Sequence, residues 1–264
     1  METPSPSPKK PVPQAGTFAQ LRLVLAVAFL LATLYTAWTP SMLAPGHSVN
    51  PDFLNFGLAP TTTPGGPTAT PRANPLVGIV VGHWGDNHDP GAVCADDNLT
   101  ELEVNQNIAT RVKSFLESQG VDVVLLKEFD PRLNGFQASA LVSIHADSCD
   151  YINDQATGFK VAAALANPHP ERAARLTACL RQRYAQATNL PLHSTSITED
   201  MTSYHAFGEI QEDTTAVIIE TGFLNLDRKL LTDSPDLPAG GIAAGVICFL
   251  HNEDISGPAP TVIN

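Results

Sequence analysis

Apolar residues along this chain follow two rhythms, and each predicts its own kind of element. Leu76 to Val81, Val121 to Leu126, Leu141 to His145 and Thr215 to Glu220 are short runs rich in β-branched residues, the mark of strands buried on both faces. Phe159 to Leu165 reads as a further strand. Between them the period lengthens. Thr100 to Gln119 places Val104, Ile108, Val112, Phe115 and Leu116 at helical spacing and ends at Gly120. Pro170 to Thr188 places Ala173, Leu176, Leu180 and Tyr184 on one face. Asp227 to Leu231 opens a short helix, and Leu237 to Leu250 reads as the last one. Strands alternating with helices predict an α/β domain: one mostly parallel or mixed sheet with helices on both faces.

The pattern breaks ahead of this domain. Leu23 to Trp38 is uncharged and almost wholly apolar, and Phe18, Ala19 and Leu21 extend it. Lys9, Lys10 and Arg22 precede it. Positive charge on that side predicts a cytoplasmic N-terminus and export of the rest. No small-x-small cleavage site follows the run, which favours an uncleaved signal anchor at 17–38 over a removed signal peptide. Residues 1–16 are Pro/Ser-rich and read as a disordered tail. Residues 39–74, rich in Pro, Thr and Gly, read as a spacer between membrane and domain. The folded domain is expected over 75–252, with a loose tail at 253–264.

Charge and cysteines narrow the function. A net charge of −12, with no basic cluster outside the N-terminus, argues against a nucleic-acid partner. The four cysteines, Cys94, Cys149, Cys179 and Cys248, form no CxxC pair, so neither a thiol-rich zinc site nor a thioredoxin-like motif is suggested. An even number fits two disulfides in an oxidising compartment.

The chemistry gathers at strand ends. His83, His145 and Glu220 each stand at or just past the end of a predicted strand. Ligands collect beyond the carboxyl ends of parallel strands, so these residues can converge although far apart in sequence. Two imidazoles ask for a third ligand, and Glu101 and Glu103 both qualify. Thr100 with Glu103 forms a capping box, which gives Glu103 a structural task and leaves Glu101 free for the metal. Glu220 closes a strand too apolar to solvate a carboxylate, which suits a general base whose pKa burial raises. Taken singly, each residue has an ordinary structural use: a backbone-bonded histidine, a first-turn carboxylate on a helix dipole, an ion-pair partner. Their joint occurrence carries the metal reading. Asp86, His88 and Asp89 crowd the first loop and read as its rim, and His205 is a candidate for the pocket lining. Asn98-Leu99-Thr100 matches a glycosylation acceptor, but capping explains Thr100 better.

Gly82-His83-Trp84-Gly85 with Asp89-Pro90-Gly91-Ala92, Glu101 opening a helix through Asn105 to Ile108-Ala109, Ser143-Ile144-His145-Ala146-Asp147, and Glu220-Thr221-Gly222-Phe223-Leu224 follow in order. The set resembles the zinc-dependent N-acetylmuramoyl-L-alanine amidases of the amidase-3 type, over about residues 76–250. The resemblance implies a mixed sheet flanked by helices. It also implies cleavage of the amide between N-acetylmuramic acid and the L-Ala of peptidoglycan stem peptides. It implies Zn²⁺ on His83, Glu101 and His145, with Glu220 as the catalytic carboxylate. The chain departs from the family pattern in a longer Gly85–Thr100 loop and in Lys127-Glu128-Phe129-Asp130, where Thr-Arg-x-x-Asp is usual. Gln137 and Ser139 occupy the region of the usual arginine before the second histidine motif, and Asn225 stands near the usual asparagine. These changes touch substrate contacts rather than metal ligands.

If both metal loops surround one ion, Cys94 and Cys149 lie close enough for a disulfide, with Cys149 as a zinc ligand the lesser alternative. Cys179 and Cys248 are either a second bridge or buried small apolar residues. An anchored domain with these motifs predicts an extracytoplasmic wall hydrolase acting on peptidoglycan and muropeptides. The alternatives are a tethered wall-binding module with a degenerate site, and a zinc peptidase or other amidohydrolase acting on a different amide.

Overall fold

The computed structural model describes residues 74–86, 88–256 and 262–263. The expected tail, anchor and nearly all of the expected spacer lie outside these residues. Among the described residues no helix is long and apolar enough to cross a membrane.

Four strands run parallel: β1 (Leu76–Val81), β2 (Asp122–Lys127), β3 (Ala140–Asp147) and β6 (Thr215–Phe223). A fifth, β4 (Lys160–Ala163), pairs antiparallel with β6 at one edge, giving the order β2-β1-β3-β6-β4. The predicted mixed sheet is therefore present. All but the first residue of β1 and all but the last of β3 are buried, which is why these segments read as unbroken apolar runs rather than alternations.

Three long helices cover one face: α1 (Glu101–Ser118), α2 (Pro170–Thr188) and α6 (Asp236–Leu250). Val77, Ile79 and Val81 of β1 point to them and join Val104, Ile108, Leu176, Leu180 and Ile242 in the larger core. The other face, lined by Val80, Leu141 and Ile218, is covered more thinly. There a 3-10 turn at Pro131–Leu133, two short helices, α3 (Glu199–Thr202) and α4 (Ala206–Glu209), and the loop between those helices supply Leu133, Met201, Ala206 and Tyr204. A further short helix, α5 (Arg228–Asp233), follows β6.

α1 starts where capping chemistry places it. The Thr100 hydroxyl accepts from the Glu103 amide at 3.2 Å, and the Glu103 carboxylate accepts from the Thr100 amide at 3.0 Å. The predicted Cys94–Cys149 disulfide is present, and Cys179 and Cys248, which the sequence leaves open, form a second bridge joining α2 to α6.

The start of the C-terminal segment is tied to α2. Arg183 forms an ion pair with Glu253 at 3.0 Å, Gln182 donates to the Ile255 carbonyl at 2.8 Å, and Arg175 donates to the Glu253 carbonyl. β7 (Val262–Ile263) pairs parallel with the two-residue strand β5 (Leu192–His193). Arginine and glutamine donors on α2 thus find acceptors in the tail's carbonyls and in the Glu253 carboxylate.

Candidate metal centre

β1 connects through α1 to β2 on one side of the sheet, while β3 lies on the other side of β1. The crevice beyond the carboxyl ends of β1 and β3 is thus a topological switch point, where α/β sheets bind ligands. His83 follows β1, His145 lies near the end of β3, and Glu101 opens α1 between them in sequence.

These three side chains meet. One oxygen of Glu101 lies 3.2 Å from His83 Nε2, and the other lies 3.2 Å from His145 Nδ1. All three donor atoms fall within 4.8 Å of one another, and Glu101 and His145 are buried. Glu101 is held from every side. It accepts from the backbone amides of Ala92 at 3.2 Å and Ala146 at 3.1 Å. Asn105, one turn further along α1, donates to it at 3.2 Å and to the Gly82 carbonyl at 3.3 Å.

Two glycines make room for this packing. A Cβ on Gly82 would lie 2.5 Å from the His145 ring. One on Gly91, whose φ is +66°, would lie 2.5 Å from a Glu101 oxygen and 2.7 Å from the His83 ring. His83 itself has a φ of 64°, an uncommon conformation for a residue with a side chain.

Electrostatics bind the cluster together. Burial opposes charge on Glu101, but the imidazoles of His145 and His83 overcome it and hold its carboxyl well below the usual range. His83 is pushed up to about 9, chiefly by its contact with Glu101 and against the effect of burial. Burial also opposes charge on His145, yet Glu101 and Glu220 raise it. Two imidazoles and one carboxylate, gathered tightly and each stabilised in charged form by the others, suit replacement of the imidazole protons by a divalent cation. Three protein ligands of this type leave a coordination position open, the pattern of a catalytic rather than a structural zinc site.

Glu220 is the direct register partner of His145 across the β3–β6 pair. Its Oε2 is buried without a hydrogen-bond partner, and burial pushes the carboxyl up to about 7. The strand end that carries it is well braced. Thr221 donates to the His145 carbonyl at 2.9 Å, and Asp227 accepts from the amides of Phe223 and Gly158 at 2.9 and 2.8 Å.

Other candidates go elsewhere. Glu103 is committed to its cap. Asp86 pairs with Lys127 at 2.7 Å on the surface. His88 is exposed. Asp89, read from sequence as a rim residue, lies 3.1 Å from His83 Nδ1 and so backs the imidazole. His193 contacts Ser196 at 2.7 Å. His205 contacts Glu209 at 2.8 Å and stacks on Phe129 at 4.4 Å, outside the His/Glu/His group. Its neighbour Tyr204 is closer to the centre, with its ring 5.7 Å from that of His145. Cys149 is consumed by its disulfide, which removes it as a ligand.

Three residues near the centre were not singled out from sequence. Glu128, just past β2, is buried and lies 3.9 Å from His83 Nδ1 and 3.8 Å from His145 Nε2. Its place at the end of a third parallel strand was the available signal. Lys160, itself buried, is the register partner of Glu220 on β4 and forms an ion pair with the half-buried Asp147. A lone lysine in an apolar strand was the signal there. Tyr204 carried no sequence signal, because it reaches the site from the loop between the two short helices of the thinner face.

A His/Glu/His donor set beside an independent buried carboxylate is the equipment of metal-assisted hydrolysis. Residues 77–248 match the Amidase_3 family, N-acetylmuramoyl-L-alanine amidase, and the chain belongs to that family. No curated protein matches it. Among solved structures it is similar to the CwlD amidase of Clostridioides difficile, determined in complex with the GerS lipoprotein. That likeness has 20% identity and a TM-score of 0.55, covering 68% of this chain and 100% of that one. It is similar to the N-acetylmuramoyl-L-alanine amidase of Clostridium difficile 630 at 22% identity and a TM-score of 0.56, covering 69% and 99% of the two chains. It is also similar to Ami1 of Mycobacterium smegmatis at 18% identity and a TM-score of 0.55, covering 68% and 98%. At these identities the likeness speaks for the fold.

Proposed function

We propose that this chain is a zinc-dependent N-acetylmuramoyl-L-alanine amidase. It hydrolyses the amide between N-acetylmuramic acid and the L-Ala of peptidoglycan stem peptides. The observation that carries this reading is the convergence of His83, Glu101 and His145 within 4.8 Å, with Glu220 beside His145 in the sheet register. Membership of the family supports the substrate class.

His83, Glu101 and His145 would hold Zn²⁺, which when bound supplies Lewis-acid activation of water and of the scissile carbonyl. The protein's own contribution is positioning and proton handling. Glu101, fastened by Ala92, Ala146 and Asn105, keeps the two imidazoles at a set separation. Glu220 presents a buried, unpartnered Oε2 that accepts a proton from the attacking water. A carboxyl pushed up to about 7 holds that proton long enough to hand it to the leaving amide nitrogen.

The proposed address is extracytoplasmic, on a tether formed by an anchor at 17–38 and a spacer at 39–74. Two disulfides among the described residues and no free cysteine support an oxidising compartment.

Digestion of purified peptidoglycan by the zinc-loaded protein, followed by mass analysis of the products, tests the reading. Stem peptides with a free L-Ala amino group and glycans with an intact lactyl group are expected. Cleavage within the stem peptide would assign a peptidase instead. Binding without turnover would assign a wall-binding module.

A further inference from the structure

Glu128 makes an unusual set of contacts for a residue outside the proposed ligand set. One of its oxygens accepts the His83 backbone amide at 2.5 Å, while its own amide donates to the Trp84 carbonyl at 2.8 Å. The turn after β1 is thus gripped at both sides of Trp84 by the residue that follows β2. Gripping is needed there, because His83 sits at a φ of 64°. A residue with a side chain in that region is strained and persists only when its surroundings dictate it.

The same carboxylate faces both imidazoles on their far sides. Glu101 touches His83 Nε2 and His145 Nδ1. Glu128 faces the opposite nitrogens, His83 Nδ1 at 3.9 Å and His145 Nε2 at 3.8 Å. These are charge contacts rather than hydrogen bonds. His145 Nε2 is buried and has no hydrogen-bond partner, and Glu128 is a carboxylate 3.8 Å from it. The Tyr204 hydroxyl, at 3.4 Å from Glu128, limits where the carboxylate can swing.

We infer that Glu128 is a positioning residue for the metal site: it holds His83 in its strained turn, faces His145 from behind, and shares the rear of the His83 imidazole with Asp89. This rests on the zinc reading above and extends it to a residue outside the ligand set. Glu128 stands outside the His83/Glu101/His145 group, whose donor atoms lie within 4.8 Å of one another, and so serves behind the ligands rather than among them.

The test is zinc affinity, measured by competition with a chromophoric chelator on wild-type protein, Glu128→Gln and Glu128→Ala. Glutamine keeps an acceptor for the His83 amide and the side-chain volume, so Glu128→Gln isolates the charge and safeguards folding. Loss of an outer partner of metal-bound histidine weakens metal binding about 10–100-fold, and that loss is expected for Glu128→Gln, with a larger one for Glu128→Ala. Cobalt(II)-loaded wild type and Glu128→Gln should share one visible band shape, because the ligand set is unchanged. Affinity within twofold of wild type in both variants would overturn the inference, even if their melting temperatures fell. So would an altered cobalt band shape, which would make Glu128 a ligand. Should the wild type bind no zinc at all, the proposed function itself fails, an outcome distinct from either of these.

Discussion

His145 and Glu220 are register partners on adjacent parallel strands, so an imidazole and an unpartnered carboxylate oxygen stand side by side at the carboxyl edge of the sheet. Neighbouring strands lie about 4.8 Å apart, which sets the spacing between the proposed metal ligand and the proposed proton carrier by backbone pairing rather than by loop conformation. A site built this way is rigid where its chemistry needs rigidity.

Glu220→Gln is expected to retain stoichiometric zinc and lower kcat on muropeptides by about 10²–10⁴-fold, the usual contribution of a positioned general base. Metal analysis with turnover measurements checks it. Activity near the wild-type value would remove Glu220 from the mechanism.

His145→Ala is expected to lose the metal itself. Exhaustive dialysis against a chelator should abolish wild-type activity, and added Zn²⁺ should restore it. Restoration in the wild type but not in the variant separates a ligand from a residue needed only for folding. Stoichiometric zinc retained by the variant would contradict the assignment.

The metal-free protein should show a pH dependence of stability traceable to His83. Its folded-state pKa, about 9, lies above the ordinary histidine value of 6.5. Such a group contributes stability fully below pH 6.5, and the contribution is lost as pH rises toward 9. The melting temperature in chelator should therefore fall across that window. Zinc affinity should rise across the same window, because the ion competes with the imidazole protons. A flat affinity profile would mean that His83 does not exchange a proton for the metal.

Lys160→Met should destabilise the domain by about 1–3 kcal/mol, because it leaves the half-buried Asp147 beside Glu220 without its cation. Adding Asp147→Asn should recover much of the loss. Urea unfolding of the two single variants and the double variant gives the coupling directly. Additive effects would show that the pair is not coupled.

Cys94 and Cys149 close a sequence separation of 55 residues, so in a chain-entropy account their bridge is worth ~4 kcal/mol. The Cys94→Ser/Cys149→Ser double variant should melt at a lower temperature. Denatured, unreduced wild-type protein should show no reactive thiol. Four thiols would discard both bridges.

Most of the long elements were legible because their signals are local. β1 and α2 have the bounds that apolar period and flanking residues predict, and α1 begins one residue after its capping threonine. The choice of Glu101 over Glu103 was legible for the same reason, since a capping box is a property of four consecutive residues. The short elements between Leu192 and Glu209 were not legible. They follow no period and are held by packing of Met201, Tyr204 and Ala206 against the thinner face of the sheet.

By itself the sequence determined the strands, the long helices, the caps and the candidate ligands, because spacing and local hydrogen bonding act within a few residues. Tertiary structure alone decided which distant groups share the site. Strand order β2-β1-β3-β6-β4 puts Glu128 behind both histidines, Lys160 beside Glu220 and Tyr204 against His145. Those neighbours are set by sheet register and by how the two faces are covered, and a residue's place in the chain encodes neither.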